Sequence, residues 1–161
     1  MKYFKHLRNI LLHKWYVCIE CWKRGLFLQG IVHDLSKLSP TEFFTSARYF
    51  QERGKGSPVE AEKKDKGYSK AWFNHKAKNK HHWMYWTDRK DGVWYAVPMP
   101  KKYVTEMLCD FIGAGKIYSK EKWTPQEPLN FYRNIEGKRM FLHPETRELF
   151  EDMLEKLSDS K

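Results

Sequence analysis

The chain has 161 residues, of which 41% are hydrophobic and 16% are aromatic, so it can bury a core and is not a disordered protein. Its 30 basic residues against 20 acidic ones give a net charge of +10. This charge favours binding of anionic ligands, and the alternative is a solvated basic surface without a ligand. Without an apolar run of transmembrane length or a signal-peptide pattern, we expect a cytoplasmic protein with no membrane partner.

Residues 2–24 form the first predicted helix, because apolar side chains recur at steps of three and four. We expect its buried face to consist of Phe4, Leu7, Leu11, Trp15, Cys18 and Trp22. Ile10 and Val17 widen that face, His13 lies at its margin between them, and Glu20 lies opposite.

Three cysteines occur, and two of them form a C-x-x-C pair, Cys18 and Cys21. Because they fall in a helical pattern, we interpret them and Cys109 as reduced thiols in or near the core, which fits a reducing cytoplasm. A zinc or redox pair is the alternative.

A short second helix is predicted over residues 26–37. Ser39, Pro40 and Glu42 form a capping box that starts a third helix, which should run to about Arg53 with Gly54 beyond its end. Residues 54–68 are polar, and we expect a mobile loop there.

The second half of the chain continues the helical pattern. We predict helices over 69–82, over 100–113 with Gly113 and Gly115 closing it, over 124–137, and from Pro144 onward. Residues 83–99 are aromatic and irregular, with an Asp91-Gly92 signal for a small hairpin. The sequence therefore predicts a single all-α domain over 1–161, a bundle of about six or seven helices.

His33 and Asp34 close the apolar run that starts at Leu26. A carboxylate after such a run is costly to bury without a partner, and a metal ion bound together with a neighbouring imidazole is one solution. The alternative is a capping Asp beside a core His.

Three further residues favour the metal site. His13 lies on the margin of the first helix, and Asp110 shares a helix stripe with Tyr103 and Met107, so its carboxylate faces apolar surroundings. Lys37 lies one turn after Asp34, where its ammonium would reach a phosphate bound at the metal.

The order His, His-Asp, then a distant Asp on helices resembles the HD superfamily of metal-dependent phosphohydrolases. His33-Asp34-Leu35-Ser36-Lys37 is similar to its H-D-x-x-K variant, found in cyclic-dinucleotide phosphodiesterases and myo-inositol oxygenase. The whole chain also resembles a family of short HD-like bacterial and phage proteins of unknown function, through HDLSKLSPTEF, HHWMYW and MPKKYVTEMLCDFIGAG. A G-Y-P signature of the cyclic-dinucleotide enzymes is missing, so that substrate class is not supported.

The resemblance implies a divalent metal (Mn, Fe, Co, Ni, Zn or Mg) on His13, His33, Asp34 and Asp110. His6 is the rival for the first ligand, but the spacing of His13 to the central pair is closer to that of the superfamily. In binuclear members, histidines between the central pair and the last Asp bind a second metal, with the central Asp bridging. The candidates here are His75, His81 and His82; the alternatives are that they bind substrate phosphate or lie on a lysine-rich surface.

We therefore expect a hydrolase in which a metal-activated water attacks a nucleotide or another small phosphate ester, with Asp34 and Lys37 in catalytic roles. An HD-type di-iron oxygenase and a non-catalytic basic module for nucleic acid are the alternatives. The aromatic residues Trp83, Tyr85, Trp86, Trp94 and Tyr95 either pack in the core or wall a pocket.

Overall fold

A computed structural model of the chain describes residues 1–51 and 56–160. Within these residues the predicted all-α fold with a small hairpin is confirmed. The α-helices are α1 (Lys2–Lys23), α2 (Phe27–Val32), α3 (Pro40–Arg48), α4 (Pro58–Lys66), α5 (Lys70–Lys78), α6 (Lys101–Ser119), α7 (Glu127–Phe131) and α8 (Pro144–Ser158).

The first helix has its predicted bounds, but the face expected to be buried points toward solvent. Its buried residues are His6, Ile10, Val17, Glu20 and Cys21, whereas the stripe expected in the core is mostly exposed. Two apolar stripes run along α1, and packing against α6 selects the narrower one.

The predicted second helix is broken at the His-Asp pair. Helix α2 ends at Val32, and Asp34 takes a left-handed conformation with φ 55° before a short 3-10 turn over Leu35–Leu38. Asp is one of the few side chains that tolerate this conformation. The break turns the carboxylate of Asp34 into the bundle, where it is 2% exposed.

Serine side chains cap three consecutive helices. Ser39 accepts from the backbone N of Glu42 at the start of α3, as predicted, and Ser57 and Ser69 cap α4 and α5 in the same way. The loop expected over residues 54–68 is therefore wrong for Pro58–Lys66, which form α4. The third helix ends at Arg48, and its expected end at Arg53 and Gly54 lies outside the described residues.

Helix α5 is shorter than predicted, so His81 and His82 follow its end. A 3-10 turn over Trp83–Trp86 then leads into the antiparallel pair β1 (Thr87–Lys90) and β2 (Val93–Ala96), with Thr87 opposite Ala96. Asp91 and Gly92 both have positive φ, which is the geometry of a tight hairpin turn.

Helix α6 continues through the two glycines that were expected to end it. Gly113 lies against α1 and Gly115 lies against Trp123, at distances that leave no room for a Cβ atom. These glycines permit close packing within the helix instead of stopping it, because a stop requires the left-handed conformation, which neither adopts.

The main core lies between α6, α7 and α8, around Val104, Leu108, Ile112, Phe150 and Leu154. Helix α7 begins at Glu127, later than predicted, and passes into a π-helical turn over Tyr132–Glu136. On the other side, α6 packs against α1, which in turn contacts α2 and α3. No helix in the described chain has the length and apolar character needed to cross a bilayer.

Candidate metal centre

Two imidazoles and two carboxylates from distant parts of the chain meet between α1, α6 and the break after α2. Nε2 of His13 lies 2.9 Å from Oδ1 of Asp110 and 3.6 Å from Oδ2 of Asp34. Nε2 of His33 lies 3.4 Å from Oδ2 of Asp34 and 3.6 Å from Oδ1 of Asp110. One potential ligand atom from each residue lies within 4.8 Å of all the others. We call this set the first half-site.

The other oxygen of Asp34 faces a second set of imidazoles. Oδ1 of Asp34 lies 3.3 Å from Nε2 of His75 and 3.5 Å from Nε2 of His81, and His82 completes a group that meets the same 4.8 Å limit. We call Asp34, His75, His81 and His82 the second half-site. All three histidines of this segment therefore lie at the centre and not on a lysine-rich surface.

The centre contains buried polar atoms without hydrogen-bond partners. They are Oδ1 of Asp34 and the Nε2 atoms of His13, His33, His81 and His82, whereas Oδ2 of Asp34 contacts the ammonium of Lys37 at 2.5 Å. These atoms approach one another within ion-pair distance, but their contacts lack hydrogen-bonding geometry. Buried polar atoms without partners are rare and costly in proteins, and a cation between them would satisfy them.

The electrostatics of the centre keep the carboxylate of Asp34 ionised and favour a charged His33 beside it. Burial opposes ionisation of Asp34, but His33, Lys37 and His75 outweigh it and hold the pKa of Asp34 well below its usual value. Burial likewise opposes the charge on His33, yet the carboxylates around it raise its pKa. Burial and the neighbouring histidines lower the pKa of His82, so this imidazole is neutral and able to bind a metal.

Glu106 on α6 orients two rings at once. Its Oε1 lies 3.0 Å from Nδ1 of His33 and 3.2 Å from Nδ1 of His81. Hydrogen bonding at Nδ1 fixes the tautomer and turns Nε2 toward Asp34, which is how carboxylates prepare metal-binding histidines. The predicted sites omitted Glu106, although it lies one helical turn before Asp110 on the same helix.

Glu42 plays the same part for His75. Its Oε2 lies 2.9 Å from Nδ1 of His75 and accepts a hydrogen bond of 3.0 Å from Ser36 Oγ. Asn79 donates to Ser36 Oγ at 2.8 Å. Glu42 thus takes part in a helix cap through its backbone and supports the second half-site through its side chain.

Lys37 lies next to the centre, as its position after Asp34 predicts. Its Nζ is 2.5 Å from Oδ2 of Asp34. The carboxylates of Asp34, Asp110 and Glu42 outweigh desolvation and raise the pKa of Lys37, so its ammonium stays charged. A fixed positive charge beside the centre attracts anions.

A cavity of about 380 Å³ opens onto both half-sites. His13, Lys37, His75, His82 and Asp110 border it on the side of the centre. Its other walls are largely apolar and include Ile10, Phe50, Val59, Trp72 and Ile117. The cavity is at the small end of the range for ligand pockets.

His6 lines this cavity but belongs to neither half-site. It is buried between Phe43 and Phe50, and burial lowers its pKa to about 4. Of the two rivals for the first ligand position, the geometry therefore places His13 at the centre.

The aromatic cluster of residues 83–95 does not wall the cavity. Trp83 and Trp86 pack against the main core, whereas Trp94 and Tyr95 are exposed on β2. Trp72 is the tryptophan that borders the cavity among the described residues. The three cysteines are unpaired thiols, with Cys21 and Cys109 buried in a small core between α1 and α6, as their sequence pattern indicates.

Comparison with known proteins identifies the family of the chain. A family model described as "Family of unknown function (DUF5662)" covers residues 2–156, from the start of α1 into the last turns of α8. No curated protein and no solved structure matches the chain.

Proposed function

The chain belongs to the DUF5662 family, and we propose that it is a metal-dependent phosphohydrolase of the HD type that acts on small phosphate esters, nucleotides included. The observation that carries the proposal is the position of Asp34, whose two buried oxygens face separate sets of imidazole nitrogens. This donor set, rich in imidazole, suits Fe, Co, Ni or Zn better than Mg.

The donor atoms would hold one or two divalent ions, and Asp34 belongs to both groups of donors. His13, His33 and Asp110 complete the first half-site, and His75, His81 and His82 complete the second. A divalent cation held there would supply Lewis acidity toward a phosphoryl oxygen and would lower the pKa of a coordinated water toward neutrality.

The chain's own residues supply orientation and charge. Glu106 and Glu42 hold the imidazoles with Nε2 directed at Asp34, so the donor atoms need little rearrangement. The ammonium of Lys37 lies at the border of the cavity, where it would offset the charge of a substrate phosphate. The apolar walls beyond it would accept the organic part of the ester and exclude water.

Metal analysis tests the first part of the proposal. The purified protein should contain one or two divalent ions per chain, and Asp34→Ala should lose them while remaining folded by circular dichroism. Asp152→Ala, at an exposed site on α8, is the matched control and should keep its metal. Retention of metal by Asp34→Ala would reject the centre.

Phosphate release from a panel of nucleotides and simple phosphate monoesters tests the second part. Activity should disappear with a chelator and return with the lost metal. A metal-loaded protein that releases no phosphate from any member of the panel would keep the centre but reject the hydrolase.

A di-iron oxygenase is the second candidate, because five imidazoles around a shared carboxylate also suit a pair of iron ions. Iron as the native metal, a mixed-valent resonance signal and substrate-dependent oxygen consumption without phosphate release would favour it over the hydrolase.

A further inference from the structure

The outer stripe of α1 is apolar and uncovered. Phe4, Leu11, Trp15 and Trp22 recur along one side of the helix, and Trp15 is 61% exposed. Their positions lie within a narrow arc at 3.6 residues per turn, opposite the residues that pack on α6.

Helix α2 and the turn after it extend this stripe. Their exposed side chains are apolar, namely Phe27, Leu28, Ile31, Val32 and Leu35. Trp22 joins the two helices, because its ring centroid lies 6.0 Å from that of Phe27 and its Nε1 donates to the carbonyl of Phe27 at 3.2 Å. These nine side chains on α1, α2 and the turn form what we call the N-terminal apolar face.

The size of this face is unusual for an isolated protein. Nine large apolar side chains, each about half exposed, amount to on the order of 1,000 Å². The largest apolar patch of a typical monomer is roughly 300–600 Å². A surface of this extent is usually covered by a partner or a lipid layer.

The charge of the N-terminal segment that carries the face indicates the kind of partner. In the described residues 1–51 the acidic side chains are Glu20, Asp34 and Glu42, and all three are buried. The cations of the same segment include Lys2, Arg8, Lys23 and Arg48, which are exposed. Two copies of the chain that met through this segment would bring two basic surfaces together, with no exposed acid from described residues 1–51 to pair with the cations.

We propose that the N-terminal apolar face binds the surface of an anionic lipid membrane. A stripe of tryptophan, phenylalanine and leucine side chains on a helix that also carries exposed cations, of which Arg8 lies next to the stripe, is typical of helices that lie in the membrane interface. Tryptophan is favoured at that depth because its ring is apolar and its N–H is polar. Such binding needs no helix that crosses the bilayer, and it replaces the expectation of no membrane partner.

Vesicle binding of the full chain is the test. The protein should sediment with vesicles of equimolar phosphatidylglycerol and phosphatidylcholine, bind pure phosphatidylcholine less, and lose binding as salt rises. Ile31→Asp should weaken binding roughly tenfold or more, because it removes an apolar side chain from the lipid layer and places a charge there. Trp15→Ala provides a second variant that adds no charge and should weaken it as well.

Val93→Asp is the matched control, because Val93 is also an exposed apolar residue but lies on the hairpin. Its vesicle binding should equal that of the wild type, and melting temperatures should show that all variants are folded. Absence of binding to the anionic vesicles, or equal losses in Val93→Asp and Ile31→Asp, would overturn the proposal. A dimer in light scattering that Ile31→Asp dissociates, without vesicle binding, would overturn it in favour of self-association.

Discussion

Gly113 of α6 lies so close to Val17 of α1 that a Cβ atom at position 113 would come 2.5 Å from Cγ2 of Val17. The same atom would lie 3.6 Å from Nδ1 of His13. This contact sets the separation between the helix that carries His13 and the helix that carries Asp110.

Gly113→Ala should therefore disturb both stability and metal binding. Overpacking against Val17 costs about 1–3 kcal/mol, which exceeds the gain of roughly 1 kcal/mol from better helix propensity. Gly115→Ala is the control, because its Cβ would meet Trp123 on a different side of α6. Both variants should melt earlier, but weaker metal binding in a chelator competition should appear in Gly113→Ala alone.

The two half-sites should be separable by metal counting. Asp110→Ala should lose the ion of the first half-site, and His81→Ala should lose the ion of the second, because the side chains belong to different groups of donor atoms. Asp34→Ala should lose both. Elemental analysis at saturating metal checks this, and an equal loss in all three variants would indicate a single shared ion.

Glu106→Gln should weaken metal binding about tenfold without abolishing it. The amide oxygen still accepts from Nδ1 of His33 or His81, but it lacks the negative charge that makes the imidazoles better donors. Competition with a chelator measures the change. Glu148→Gln, exposed on α8, should bind metal like the wild type, and unaltered affinity in Glu106→Gln would restrict Glu106 to a packing role.

Lys37→Met should separate metal binding from turnover. Lys37 is a cation and cannot ligate a metal while charged, so the variant should retain its metal content. The rate of phosphate release should fall by about 10²–10³ if the ammonium stabilises charge on the phosphoryl group. Loss of metal from this variant would show that Lys37 instead holds Asp34 in place.

Glu20 should control stability in acid. Burial raises its pKa, but hydrogen bonds from Lys116, Lys23 and Arg24 lower it from 4.5 to about 2. Because the pKa is depressed by folding, the stabilisation is present above about 4.5 and is lost as pH falls toward 2. Glu20→Gln should cost on the order of 2 kcal/mol at neutral pH and flatten the acid limb of the melting curve.

That comparison has an internal control in its pH dependence. Wild type and Glu20→Gln should converge in melting temperature as the pH approaches the lower limit of this window. A constant difference at every pH would mean that the charge of Glu20 is not what stabilises the cluster.

Several residues of the candidate centre could be predicted to meet from the sequence because they interrupt apolar patterns. His33 and Asp34 follow an apolar run, and Asp110 lies within an apolar stripe, so each needed a partner. Glu106 was missed, and Glu42 was interpreted mainly as a helix cap with support of the metal ligands as the alternative, because a carboxylate that binds a histidine looks like any helix-surface or capping residue. A systematic search for acids one turn from a proposed ligand would have found Glu106.

The buried face of α1 was the part of the fold that the sequence pattern predicted wrongly. Helix α1 has apolar residues on two sides, and periodicity cannot tell a stripe that packs on α6 from one that stays exposed. Glu20 illustrates the difficulty. The pattern predicts it on the solvent side of α1, but its side chain is buried and accepts hydrogen bonds from Lys23, Arg24 and Lys116. Helix α4 was missed because its polar composition outweighed the cap at Ser57.

The left-handed backbone at Asp34 narrows the range of residues that position 34 can accept. At φ 55° most side chains incur a steric cost of roughly 1–2 kcal/mol, whereas glycine, asparagine and aspartate tolerate the conformation. Glycine and asparagine lack the charge that faces Lys37 and His33, so either would leave buried cations without their anion. Aspartate alone meets the backbone requirement and the charge requirement together, so sequence drift at position 34 should be far more restricted than at an ordinary turn.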